Sequence, residues 1–243
     1  MNEPNAPASS TPAPPPPLPP PLVSESGPAP IIEALLKRPA TLIAALQQAK
    51  SGRLALWLAI FALLALAAYG LVVGSFSGGR QFLAAPLKIS LGALASLLIC
   101  LPSLFIFACL TGADVSLRAV AGTACAVLAL AALLLIGFAP VAWVFSQSTS
   151  SVAFMGSLHL VFWLIGLGFG LRLLRTLMDQ LRAGDRLHLK VWSTIFIFVS
   201  LQMTTALRPI VGTSERWLPA EKKFFIVHWI ESIARDAKAN AID

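Results

Sequence analysis

Over most of this chain the hydrophobic positions neither alternate nor recur at helical spacing; they run on unbroken. Five such runs, residues 54–73, 87–109, 117–145, 152–171 and 189–207, carry no ionisable group near the middle save His159 in the fourth. About 20 helical residues at ~1.5 Å rise cross a hydrocarbon layer ~30 Å thick, so each run predicts a membrane span. The predicted fold class is all-α: a polytopic membrane protein with five transmembrane helices, amphipathic surface helices and a disordered Pro-rich N-terminal tail.

The stretches between the runs divide the rest of the chain. Residues 1–30 hold 12 of the 18 prolines and few bulky apolar side chains. Such a segment lacks backbone donors and cannot bury enough surface to offset ordering, so it is expected to stay extended and solvated. Two readings are open for it: a docking ligand for a partner that reads polyproline II, or a solubilising tail. It has no charged start followed by an apolar core, so the first span is expected to act as its own insertion signal.

Residues 31–53 form a juxtamembrane section. Ile31, Ile32, Leu35 and Leu36 share one helical face, while Glu33 and Lys37 pair four residues apart on another. Pro39 breaks that helix and suits the first turn of a second, in which Leu42, Ile43 and Leu46 oppose Thr41, Gln47, Gln48 and Lys50. Both helices are expected to lie on the membrane surface, with Lys37, Arg38, Lys50 and Arg53 at anionic head groups. The bundle proper is residues 54–207. A C-terminal interfacial helix and tail occupy 208–243, with Phe225, Ile226, Trp229, Ile230 and Ile233 on its apolar side.

Inside the bundle the connections are short. Gly74 to Arg80 reads as a flexible turn, Thr111 to Asp114 as the second connection and Ser146 to Ser151 as the third. Pro102 and Pro140 sit within apolar runs and are expected to kink their helices, with Pro140 a place for its helix to stop or bend. Past residue 171 the pattern turns amphipathic. Leu174, Leu177, Met178 and Leu181 face one way and Arg172, Arg175, Asp179 and Arg182 the other, so the fourth helix should continue out of the membrane. Arg175 and Asp179 are spaced for an ion pair, and Gly184 suits a C-terminal cap.

Composition narrows the class without adding chemistry. With 57% hydrophobic and 12% charged residues, the chain falls far from the ~25% charged typical of soluble domains. The net charge of +7 is spread beside the spans, which argues for membrane anchoring and against nucleic acid as a partner. Ten Lys and Arg flank the N-terminal side of the threading and two the other. The positive-inside rule then puts the N-terminus in the cytoplasm and the C-terminus outside a cell (inner) membrane. The six basic residues of the C-terminal tail run against that rule.

Candidate chemistry is sparse. Cys100, Cys109 and Cys125 lie inside spans with no metal-ligand spacing and read as small packing residues. Ser77 lacks the glycine two residues upstream that a nucleophile elbow requires. No acid/base pair, metal cluster or nucleotide loop is evident, so neither a cofactor nor catalysis is expected. His159 could serve interhelical hydrogen bonding or a proton-linked role. Gln202, Thr204 and Thr205, followed by Arg208, form the most polar stretch of any span. They read as helix adhesion or as a polar pocket at the outer end, with Arg208 holding an anionic head group. Gly166, Gly168 and Gly170 give the fourth span a smooth side for close helix approach, within the bundle or between copies.

Three segments carry a resemblance. Gly74-Ser75-Phe76-Ser77-Gly78-Gly79, Cys100-Leu101-Pro102-Ser103-Leu104, and Gln202 with Leu207-Arg208-Pro209-Ile210-Val211-Gly212 resemble a group of bacterial five-span membrane proteins loosely similar to the Yip1 family. The resemblance covers residues from about 31 to 230. The Asp-Leu-Tyr-Gly-Pro-like element of eukaryotic members is missing. What the resemblance implies is a five-helix bundle with a cytoplasmic N-terminus, and no reaction. The function expected is a non-catalytic scaffold or subunit of a membrane complex, with membrane lipids and other subunits or further copies as partners. A transporter or channel for a small or lipid-like solute is the alternative, and a lipid-modifying enzyme the third.

Overall fold

The computed structural model describes residues 28–37, 39–47, 51–112, 115–182 and 186–207. The Pro-rich tail through residue 27, Gly184, Arg208 and the expected C-terminal helix therefore lie outside the described residues. Seven helices make up the described chain: α1 Pro28–Lys37, α2 Pro39–Gln47, α3 Ser51–Ser77, α4 Gln81–Leu110, α5 Leu117–Ser148, α6 Val152–Gln180 and α7 Arg186–Ala206. Helices α3 to α7 are each long and apolar enough to cross a membrane.

Local chemistry fixes where these helices begin and end. Ser116 and Ser151 cap α5 and α6, their hydroxyls accepting from the amides of Ala119 and Phe154 at 3.2 Å. The turn expected over Gly74–Arg80 is shorter than its glycine content suggests. Helix α3 runs on through Ser77, and only Gly78 and Gly79, at φ of 63° and 52°, reverse the chain. Pro140 does not end α5, which continues to Ser148. Helix α6 does extend to Gln180 as its amphipathic pattern predicts. It stops at Leu181, with Arg182 taking the left-handed conformation at φ 58°, two residues before Gly184. Helix α1 starts at Pro28, inside the segment expected to be structureless.

Short connections make consecutive spans antiparallel, so α3 and α5 run the same way. These two form the centre. Helix α4 packs on α3, α6 on α5, and α7 mainly on α4, so that α6 and α7 flank the bundle and barely meet. The alanine-rich stretch of α5, from Ala119 to Ala132, lets both neighbours approach. At four positions glycine brings backbones together. A methyl group on Gly70 would lie 2.5 Å from Pro86 Cα, and one on Gly74 2.8 Å from the Gln81 carbonyl. A methyl group on Gly166 would lie 3.1 Å from the Ala131 carbonyl, and one on Gly170 2.9 Å from the Val127 carbonyl. Gly168 does not share that face: nothing lies within 4 Å of where its side chain would be.

The two N-terminal helices seat part of their apolar faces on the bundle itself, with Leu35 buried and Leu36 exposed. Leu42 is fully buried, and Leu46 lies over Gly122 of α5, because α2 packs against α3, α5 and α6 at one end of the bundle. Their exposed side keeps the predicted Glu33–Lys37 pair, at 3.8 Å. Arg175 and Asp179 do not close into the ion pair that their spacing allows.

Candidate functional site

The polar groups of the bundle fall at separate places rather than in one pocket. Among the described residues, the hydrogen bonds that cross between spans include the following. Ser90 Oγ on α4 donates to the Leu63 carbonyl on α3 at 3.3 Å. Trp192 Nε1 on α7 donates to the Cys100 carbonyl on α4 at 2.9 Å. The Tyr69 hydroxyl on α3 meets His159 Nδ1 on α6 at 2.7 Å.

The last of these is the site with chemistry in it. Tyr69 and His159 are both buried, and their rings meet edge to face with centroids 5.6 Å apart. A neutral imidazole that accepts the tyrosine proton at Nδ1 carries its own hydrogen on Nε2. Nε2 is buried and has no hydrogen-bond partner among the described residues. The pair can therefore do two things: pin α6 to α3, or present one N–H donor inside the bundle. Of the two roles expected of His159, interhelical bonding is present in the structure. Tyr69→Phe removes the donor and is expected to cost about 1 kcal/mol in a detergent thermal melt. The double variant Tyr69→Phe/His159→Leu should lose less than the two single losses combined, since neither partner is then left alone. Strict additivity would show that the bond contributes nothing.

Sequence reasoning did not find Tyr69, although its signal is present: it is the single tyrosine of the chain, and it lies inside a span. Lys88 is a second omission. The apolar run reads from residue 87, whereas α4 begins at Gln81. Lys88 thus sits two turns within the helix and is 5% exposed. His159 is accordingly not the one ionisable residue among the spans.

The expected polar cluster is not assembled as a unit. His159 faces α3 through Tyr69, while Gln202 and Thr204 lie near the end of α7, which packs on α4. Thr204 spends its hydroxyl on its own helix, donating to the Leu201 carbonyl at 2.6 Å. Gln202 is half-buried and is engaged in the structure. The side chain of Thr205 and all of Arg208 lie outside the described residues. Of the three cysteines, all free thiols, Cys100 is buried, Cys125 half-buried and Cys109 exposed. No group of three or more His, Cys, Asp or Glu that could hold a metal ion occurs among the described residues.

Length, apolarity and count of the helices decide the class. The chain is a multi-pass membrane protein. It matches no family model, no curated protein and no solved structure.

Proposed function

We propose that this protein is a non-catalytic scaffold or subunit of a membrane complex. The observation that carries the reading is the backbone-to-backbone packing at Gly70, Gly74, Gly166 and Gly170. Contacts of this kind hold helices at fixed spacing, because hydrocarbon offers no hydrophobic drive between spans and van der Waals fit must supply the association. A rigid centre of α3, α4, α5 and α6 leaves the outer faces of α6 and α7 for lipid or for other subunits. Pull-down of the full chain in mild detergent, followed by mass spectrometry, tests the reading. A stoichiometric membrane partner is expected; a lone monomer under every detergent condition would remove it.

The reading includes a threading. Helices α1 and α2 and the α4–α5 and α6–α7 connections share one side, and the excess of Lys and Arg there assigns that side to the cytoplasm of a cell (inner) membrane. Reporter fusions after Ser148 should read extracytoplasmic and fusions after Gly184 cytoplasmic. The reverse pattern would invert the bundle.

Transport of a small solute is the second reading, and the Tyr69–His159 pair favours it. A buried histidine with one engaged and one open nitrogen is the kind of group that passes a proton or receives a polar solute. His159→Gln in proteoliposomes would abolish proton-coupled flux under this reading and leave complex formation intact under the first.

A further inference from the structure

The outward face of α6 combines two features that no other span has together. One is a notch. Gly168 has nothing within 4 Å of its missing side chain, and it is flanked by the exposed side chains of Ile165 and Phe169, the latter 53% exposed. The other is a pair of exposed arginines three residues apart, Arg172 and Arg175, the first of them one helical turn beyond Gly168. Neither arginine makes an ion pair among the described residues. By contrast, Arg53 on α3 and Arg118 on α5 are exposed but stand singly.

Depth gives the arrangement its meaning. Arg172 is about 20 residues from Val152, where α6 begins, so at ~1.5 Å per residue it lies some 30 Å along the helix. That is the thickness of the hydrocarbon layer. The apolar notch is then level with acyl chains and the guanidinium groups are level with lipid phosphates. Side chains three apart on a helix are neighbours, and two guanidinium groups at that spacing can share the oxygens of one phosphodiester. We propose that the outer face of α6 binds an anionic phospholipid, its phosphate held by Arg172 and Arg175 and an acyl chain lying over Gly168.

Charge decides between this occupant and a second copy of the chain. In a two-fold contact about the membrane normal, Arg172 and Arg175 would face their own counterparts at the same depth. Like charges brought together at the edge of hydrocarbon are unfavourable, whereas an anionic lipid supplies the opposite charge.

The test uses the full chain in mild detergent, with thermal melts and native mass spectra recorded against phosphatidylglycerol, phosphatidylcholine and inorganic phosphate. Phosphatidylglycerol should raise the melt and remain bound in preference to phosphatidylcholine, and inorganic phosphate alone should do neither. Each cation near an anionic lipid contributes about fivefold, so Arg172→Gln/Arg175→Gln should weaken phosphatidylglycerol binding roughly thirtyfold. Arg172→Lys/Arg175→Lys should keep the preference for the anionic lipid. Gly168→Leu fills open space, so it should leave the lipid-free melt unchanged and weaken binding several-fold. If the double Gln variant melts early without lipid, single Arg172→Gln, expected at about fivefold, carries the comparison. Equal binding of the two lipids, an undiminished preference in the Gln variants, or the same shift with inorganic phosphate would each overturn the proposal. So would a detergent-stable dimer that Gly168→Leu dissociates, which would assign the face to a second copy.

Discussion

Gly70→Ala is expected to destabilise the bundle by about 3 kcal/mol, a large effect for one methyl group. The new Cβ would sit 2.5 Å from Pro86 Cα and 2.9 Å from Pro86 N. Both obstructing atoms are backbone, so no rotamer change can relieve the overlap. Helices α3 and α4 must move apart, which also loosens the Ser90–Leu63 hydrogen bond and the approach at Gly74. Gly168→Ala is the internal control. The same methyl enters open space there, and the melt should stay within about 0.5 kcal/mol of the parent. Equal melts for the two variants would show that α3 and α4 are not locked at Gly70.

Trp192→Ala is the second large effect, on the order of 3–5 kcal/mol. Trp192 is among the largest fully buried side chains of the protein, and it stacks on Phe196 with ring centroids 5.0 Å apart. It also ties α7 to α4 at the Cys100 carbonyl, which accepts from Ser103 Oγ as well, beside Pro102 within α4. Helix α7 has little contact with α6, so losing this anchor should free it from the bundle as a unit. Maleimide labelling reads that out. On a Cys109→Ser/Cys125→Ser background, buried Cys100 should be slow to react in the parent and fast in Trp192→Ala. Trp192→Phe keeps an aromatic ring for the stack but loses the hydrogen bond and part of the indole volume, and should cost less than Trp192→Ala, about 2 kcal/mol. Unchanged labelling in Trp192→Ala would mean that α7 is held by something other than Trp192.

The spans, the helix start at Pro39 and the extension of α6 were legible because each is a one-dimensional signal: a run of apolar residues, a missing N–H, a periodic stripe. What the sequence hides is which helix stands opposite. Hydrophobicity all round a span says nothing about which face meets protein and which meets lipid, since both are apolar. Gly70 and Gly74 have the same four-residue spacing as Gly166 and Gly170. Yet Gly74 opens a glycine- and serine-rich stretch whose composition reads as a turn, although α3 is helical through Ser77. Gly168 illustrates the converse. It is grouped with Gly166 and Gly170 by composition, while at about 100° per residue it points away from α5. Tyr69 escaped notice because attention goes to charged groups inside spans, and its hydroxyl acquires a role only once α6 brings His159 to it. The polar stretch at the end of α7 was visible, but contiguity in sequence did not make it one site with His159.

Leu46 resting over Gly122 has a consequence for the order of events during synthesis. Gly122 leaves the ribosome about 75 residues after Leu46, a delay on the order of 4–15 s at 5–20 residues per second. Helix α6, which also receives α2, emerges later still. Through that interval α3 is the one of α2's three partner helices already made, and the bilayer interface is the other apolar surface within reach of Leu35, Leu42 and Leu46. The amphipathic pattern of residues 31–53 thus suits an early resting place on lipid as well as the final seat on the bundle. Helices α1 and α2, made before the five spans, complete their seat only after α5 and α6 have followed.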